Sequence, residues 1–415
     1  MRSLISPNPN LLETPHVVSY GEKFNARALE LFALQFTHNA PYQKICKARN
    51  ASPKTVEDWT QIPAVPTNAF KELELSCLSP SERKFVFHSS GTTEQKPSRH
   101  FHNAESLAVY EASLWAWFEQ NISGNAKCEM RNVQCLMLTP SPAQAPHSSL
   151  VHMFETVRQH FGGANVPVSP QQNDFTARED ARPPGFFGKL AADGAWTLDF
   201  NATLAMLTPS PRPQLILGTA FSFVHLLDFL AEQNLRFELP PDSRVMETGG
   251  YKGRSRTMPK AELHSFITER LGVPASHIIC EYGMSELSSQ AYDHAMERRP
   301  PARRDGVGVQ SRNARDCSDG TLKRELQRAV PEAGAPSATR QFRFPPWSRV
   351  QIISPETGRE VAEGETGLIR VFDLANVFSV MAIQTEDLAV RHADGFELIG
   401  RAALAESRGC SLITN

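Results

Sequence analysis

Between Phe87 and His100 the chain reads Phe-His-Ser-Ser-Gly-Thr-Thr-Glu-Gln-Lys-Pro-Ser-Arg-His. Hydroxyl side chains at Ser89, Ser90, Thr92, Thr93 and Ser98 surround Gly91, and Lys96, Arg99 and His100 follow. This composition suits a loop that wraps an anionic phosphate. Glycine lets the backbone approach closely, N–H and hydroxyl groups donate to phosphate oxygens, and Lys or Arg supplies charge. Lys96 is not spaced as G-x-x-x-x-G-K-[ST] requires, so the segment is not a Walker A loop. The plainer alternative is a polar turn after a short strand, Lys84 to His88.

Four further polar segments accompany it. They are Glu247-Thr248-Gly249-Gly250-Tyr251-Lys252-Gly253, Glu281-Tyr282-Gly283-Met284-Ser285-Glu286-Leu287-Ser288-Ser289-Gln290, Gln384-Thr385-Glu386-Asp387-Leu388, and Gly400-Arg401. Taken singly, each has an ordinary structural explanation: a turn, an N-cap or a hairpin end. Their number and order are what carry weight.

The elements that would position them read as an α/β protein. Phe24 to Phe36 repeats apolar residues at helical spacing within a helical region, residues 1–80. Ile62 to Thr67 reads as extended, because two prolines exclude a helix interior. Ala104 to Phe118 is a long helix candidate. Short apolar runs at Gln134–Leu138, Gln214–Leu217, Ser243–Met246 and His277–Cys280 alternate with helix candidates such as Phe221–Leu230, the pattern of an α/β core over 81–293. Ligands in such sheets sit beyond the carboxyl ends of the strands, where several of the polar turns fall. Residues 294–341, rich in Arg, Pro, Gly and Ala, read as an insertion whose one ordered candidate is Leu322–Val330. From 342 to 415 the pattern is mostly β, with strands at Val350–Ile353, Gly367–Phe372 and Phe396–Ile399. Turns are expected at Pro355–Gly358 and Asp394-Gly395.

Composition narrows the function. The 415 residues are 40% hydrophobic and 21% charged, with a net charge of −2. That balance supports a sizeable core and argues against a nucleic-acid or membrane-surface binder. No apolar run approaches the ~20 residues that span a bilayer, and Met1 to Pro15 does not read as a secretory signal. Seven cysteines, at 46, 77, 128, 135, 280, 317 and 410, form no C-x-x-C pair. They read as neither a disulfide framework nor a zinc site and fit a reducing cytoplasm.

In their order along the chain, the five segments resemble the adenylate-forming superfamily of acyl-AMP synthetases. The resemblance is closest to the acyl-protein synthetases (the LuxE type) of bacterial fatty-acid reductase complexes, and runs from about Val86 to the C-terminus. Supporting wording includes Pro97-Ser98-Arg99-His100, His147-Ser148-Ser149-Leu150-Val151-His152-Met153, Phe344-Pro345-Pro346-Trp347 and Arg408-Gly409-Cys410-Ser411-Leu412. The resemblance implies ATP-dependent activation of a long-chain fatty acid as acyl-AMP, with Mg²⁺. It implies that Ser89, Ser90, Gly91, Thr92 and Thr93 cradle the phosphates, that Tyr282 lies against adenine, and that Ser285 donates to the α-phosphate. Glu286 would hold Mg²⁺, Asp387 would accept from the ribose hydroxyls, and Arg401 would contact ribose or phosphate. Gly249, Gly250 and Gly283 fall among the implied nucleotide-contacting positions, and Arg99 and His100 are placed to meet phosphate. Cys410 would carry the acyl group as a thioester for an acyl reductase or acyltransferase partner.

Two departures stand out. Glu94 occupies a position where the superfamily loop has glycine, and a carboxylate beside a triphosphate is unfavourable unless it points away or binds metal. The chain ends fourteen residues after Arg401, so the usual small C-terminal domain with its catalytic lysine is expected to be lacking. Lys96 and Lys252 are the candidates to replace that lysine. Two other functions stay open at this point: a ligase using an external CoA or carrier-protein thiol, and a non-catalytic nucleotide-binding scaffold. His147 and His152 are read either as a helix cap and a packed residue or as flanking an acyl pocket. Phe221, Phe223 and Leu226 are read as core before tunnel.

Overall fold

A computed structural model describes residues 17–89, 96–123, 133–161, 185–192, 194–207, 212–251, 255–295 and 340–402. The N-terminal part contributes helices α1 (Val17–His38), α2 (Ala40–Ala48) and α3 (Ala69–Glu72), with the two-residue strand β1 (Val65–Pro66) between the last two. Strands β2 (Phe85–His88) and β3 (Arg99–His102) form a hairpin, followed by α4 (Ala104–Ser123). Then come β4 (Gln134–Met137), α5 (Ser149–Phe161), a small hairpin of β5 (Gly188–Leu190) and β6 (Trp196–Leu198), and α6 (Phe200–Leu207). The central run is β7 (Gln214–Thr219), α7 (Ala220–Glu232), β8 (Arg244–Thr248), α8 (Lys260–Leu271) and β9 (Ile278–Tyr282). The remainder is β: β10 (Ala291–Ala295), β11 (Arg340–Arg343), β12 (Ser348–Ile353), β13 (Thr366–Asp373), β14 (Ala382–His392) and β15 (Gly395–Arg401).

Eleven strands make one sheet, in the order β12-β13-β14-β15-β11-β10-β9-β8-β7-β4, with β1 added in parallel to β14. Strands β4, β7, β8 and β9 run parallel, and from β9 to β12 every pairing is antiparallel. Parallel strands need both faces covered. The six residues of β7 are all buried. Leu217, Met246 and Ile279 turn toward α4 and α5, packing with Tyr110, Phe118 and Phe154. Their neighbours Ile216, Val245 and Ile278 turn the other way, toward α7 and α8. The alternation is the period-2 geometry of a strand. Phe223 and Leu226 lie wholly buried in this second cluster, as core. A third cluster joins α1 and α2 to the β-rich half through Phe32, Tyr42, Phe372 and Ile383.

The expected α/β class and most element positions agree with this architecture. Three local readings are corrected. Gln384–Leu388 is not an N-cap but the middle of β14, the longest strand, with Gln384 and Leu388 paired to Arg370 and Leu368. Its polar side chains hid it from a search for apolar runs. Arg99 and His100 belong to β3, registered against His88 and Phe87, and not to the loop. The edges of the expected insertion, His294, Ala295, Arg340 and Gln341, are paired strand residues in β10 and β11. Leu322–Val330 lies outside the described residues, as do Ser90 to Gln95, Lys252 and Cys410. No helix among the described residues is long and apolar enough to cross a membrane.

Candidate functional site

A cleft of about 290 Å³ opens beyond the carboxyl ends of β8 and β9. Each of the five polar segments contributes to its walls: Ser89; Gly249 and Gly250; Tyr282 through Glu286; Thr385 through Asp387; and Gly400 with Arg401. More than 300 residues separate the first contributor from the last, and the sheet order closes that separation.

At one end three sequence-predicted residues are joined. The Tyr282 hydroxyl donates to Asp387 Oδ2 at 2.8 Å, and Arg401 Nε donates to Asp387 Oδ1 at 3.2 Å. Asp387 and Arg401 face each other across the β14–β15 pairing, which fixes this geometry. Burial, then the adjoining Asp387 carboxylate, holds the Tyr282 phenol well above its ordinary pKa, so it stays a donor. The rings of Phe342, Phe344 and Phe396 surround Tyr282 edge-on, at 5.7 to 6.2 Å between centroids. Gly249 has φ +71°, and no heavy atom lies within 4 Å of where a Cβ on Gly249 or Gly250 would stand. The turn leaves open space at its edge of the cleft.

At the other end Ser285 Oγ donates to Glu286 Oε2 at 3.1 Å, and both residues are buried. The segment is held from behind by residues that the sequence reading missed. Asp373, wholly buried, accepts from the Ser288 and Ser289 amides at 3.0 and 2.8 Å and from the Ser289 hydroxyl at 2.7 Å. Asn376 Nδ2 donates to the Glu286 carbonyl at 2.9 Å. A lone Asp at a strand end carries no motif, so only the fold reveals it. Glu286 is a buried, cleft-lining carboxylate, a hard oxygen donor that suits Mg²⁺. Among the described residues no group of three or more His, Cys, Asp or Glu side chains is set for a metal. A single carboxylate of this kind fits an ion that completes its shell with phosphate and water.

Ser89 pins the neck of the hydroxyl-rich loop: its Oγ accepts from the Ser98 amide at 2.9 Å. Arg99 and His100 do not line the cleft. Arg99 is paired with Glu74 at 3.0 Å. His100 is buried and donates from Nδ1 to the Ser285 carbonyl at 2.9 Å. Burial pushes its pKa down to about 4, against the opposing effect of that bond. His147 and His152 also lie outside the lining; His147 stacks on His88, and His152 pairs with Glu111 at 2.9 Å.

A neutral buried histidine makes stability pH-dependent. Its folded pKa lies below its unfolded value of ~6.5, so its contribution is full above that value and is lost as pH falls toward 4. The loss amounts to ~3 kcal/mol. Urea unfolding of His100→Gln between pH 4.5 and 7 is expected to show a stability that gains on the parent's steadily as pH falls; a difference that does not change with pH would refute a buried neutral imidazole.

The cleft also holds Lys260 and Glu281, to which the sequence reading gave no role. Lys260, at the start of α8, lines it, with Nζ 4.6 Å from the Phe342 ring centroid and 3.9 Å from Glu247 Oε1. Burial alone would raise the Glu247 pKa; the Lys260 charge and the His264 hydrogen bond at 3.3 Å outweigh it and hold the carboxyl ionised. Lys96 is exposed and away from the lining. Glu281 is buried, accepts from the Thr248 hydroxyl, and has its pKa pushed up to about 7 by desolvation. A Cβ at 283 would press on the end of its carboxylate, which would have to move aside.

No protein-family model matches the chain. A long-chain-fatty-acid–luciferin-component ligase of Vibrio harveyi is 20% identical over 393 residues, covering 92% of this chain and 84% of that protein. A solved structure of 2-hydroxyisobutyryl-CoA ligase in an open conformation superposes with a TM-score of 0.57 at 11% identity, covering 96% of this chain and 81% of its own. The same ligase in its thioesterification state gives 0.57 at 12%, covering 96% and 73%. The fold is that of the adenylate-forming ligases. Within this adenylate-forming fold the cleft lies at the carboxyl ends of the parallel strands, where open α/β sheets bind their ligands. The similarity to the Vibrio ligase agrees with the resemblance to acyl-protein synthetases drawn from the motifs.

Proposed function

We propose that the protein is an ATP-dependent ligase that activates a long-chain fatty acid as acyl-AMP and passes the acyl group to Cys410. The observation that carries this reading is the meeting of five distant polar segments in one cleft, with Tyr282, Asp387 and Arg401 hydrogen-bonded together. The similarity to a fatty-acid ligase supports the acid class.

In this reading an oxygen of the fatty carboxylate bonds to the α-phosphorus of ATP as the bond to pyrophosphate breaks. Nothing covalent is asked of the protein, so the work is orientation and charge neutralisation. Asp387 accepts from the ribose hydroxyls while Arg401 holds its carboxylate in place. The open turn at Gly249 and Gly250 receives the base beside Tyr282. Ser285 donates to the α-phosphate, and the loop from Ser89 through Thr93 cradles the outer phosphates. Glu286 would hold Mg²⁺, which supplies neutralising charge on the phosphates when bound. In the second step a thiolate sulfur bonds to the acyl carbon and AMP leaves. Arg408, two residues before Cys410, favours the thiolate form. An acyl reductase or acyltransferase would then collect the acyl group.

Covalent labelling tests this directly. The protein is incubated with Mg-ATP and radiolabelled tetradecanoic acid, with Cys410→Ala alongside. A hydroxylamine-sensitive label on the parent is expected, absent from the variant while pyrophosphate release persists. Pyrophosphate release with no label on either protein would instead indicate an external thiol acceptor. Absence of release with any acid would leave a nucleotide-binding scaffold.

A further inference from the structure

Two cleft-lining residues carry a buried side-chain donor without a hydrogen-bond partner among the described residues: Thr67, at Oγ1, and Arg401, at Nη1. Thr67 is 1% exposed and belongs to the N-terminal region, outside the five polar segments. Arg401 has its other two donor nitrogens engaged, Nε with Asp387 Oδ1 at 3.2 Å and Nη2 with Glu386 Oε2 at 3.5 Å. Strand register brings the two residues together. β13 runs along one edge of β14, pairing Val371 with Ile383 and Gly367 with Ala389. β1 and β15 therefore share the opposite edge. β1 runs parallel to β14, and the Thr67 amide continues it by donating to the Gln384 carbonyl at 3.0 Å. β15 approaches from the other direction, with Arg401 paired to Asp387 and the Ala402 amide donating to the Glu386 carbonyl at 3.0 Å. Thr67 and Arg401 thus close on the stretch from Thr385 to Asp387 from opposite directions, and all three residues of that stretch line the cleft.

A hydroxyl and one guanidinium nitrogen, both donors and both without an acceptor, suit an anionic oxygen. Buried donors left unpaired are unfavourable, so a ligand that satisfies both gains from each bond. We propose that Thr67 is a further nucleotide-binding residue, its hydroxyl joining Arg401 Nη1 in holding an α-phosphate oxygen. This rests on the acid-activation reading given above and adds a contact within its nucleotide site. In that reading Asp387 takes the ribose hydroxyls, and the α-phosphate is the anionic group attached to that ribose.

The test is calorimetric titration of the full chain with AMP and with adenosine, together with urea unfolding of the nucleotide-free proteins. Thr67→Val replaces the hydroxyl by a methyl group of like shape. It is expected to weaken AMP binding about tenfold and to leave adenosine binding unchanged. Its urea midpoint is expected to be no lower than the parent's, because an unpaired hydroxyl contributes nothing to the nucleotide-free fold. Thr67→Ser keeps the donor and is expected to bind AMP as the parent does. The proposal alone is overturned by unchanged AMP affinity in Thr67→Val, by an equal loss for adenosine, or by an equal loss in Thr67→Ser. A Thr67→Val protein less stable than the parent also overturns it, since the hydroxyl would then serve the fold. A parent that does not bind AMP overturns the nucleotide reading, and this proposal with it.

Discussion

Replacing Asp387 by alanine is expected to lower kcat/KM for ATP in pyrophosphate release by about 100-fold, some 2.7 kcal/mol of transition-state stabilisation. The carboxylate accepts from both Tyr282 and Arg401. Its loss removes the proposed ribose acceptor and also frees Arg401 from the geometry that β14 and β15 give it. Charge-assisted bonds are the stronger class, so both effects are large. Asp387→Asn keeps the shape and loses the charge, and should fall between the two. The check is steady-state kinetics at varied ATP, with circular dichroism to verify folding. A folded Asp387→Ala enzyme with unchanged kinetic constants for ATP would remove this end of the cleft from nucleotide binding.

Substituting Glu281 by glutamine is expected to stabilise the protein at pH 8 by ~3 kcal/mol. Burial raises the carboxyl to about 7 in the fold. A raised folded pKa means that folding favours the protonated form. The contribution is intact below the unfolded value of ~4.5 and is lost as pH rises through 7. Glutamine is uncharged at every pH and still offers an acceptor to Thr248. The sign is opposite to that of His100, and the two windows overlap. Between pH 4.5 and 6.5 their contributions offset each other in the parent, giving a flat profile. Glu281→Gln should uncover the acid lability due to His100. Urea midpoints at pH 5, 6.5 and 8 read this out. No gain at pH 8 would show that Glu281 ionises in the fold without penalty.

Much of the fold was legible where apolar runs are short and bounded. The runs at 134–138, 214–217, 243–246 and 277–280 all became parallel strands, because buried strands of this kind are apolar on both faces. β14 was not legible, since its Gln384–Asp387 stretch places polar groups at a cleft. The cleft residues at Ser285, Glu286, Asp387 and Arg401 were found because several motifs fell in a known order. Asp373, Lys260 and Glu281 were not, because each acts through neighbours that are distant in sequence or across a register pairing. Arg99 and His100 misled because composition gives no sign of when a loop returns to a strand.

The β10–β11 pairing has a consequence for how this chain can change over evolutionary time. Four residue pairs, from Tyr292 with Arg343 to Ala295 with Arg340, close the connection on the sheet side. Arg340 adds a clasp, donating to both Asp293 oxygens and to the Ile278 carbonyl. Sealing the base of the connection brings its ends together at a cost in closure entropy that depends on its length. That cost rises by about 0.6 kcal/mol for each doubling. By this term alone, lengthening or shortening the chain between Ala295 and Arg340 costs little, while β10 and β11 stay in register.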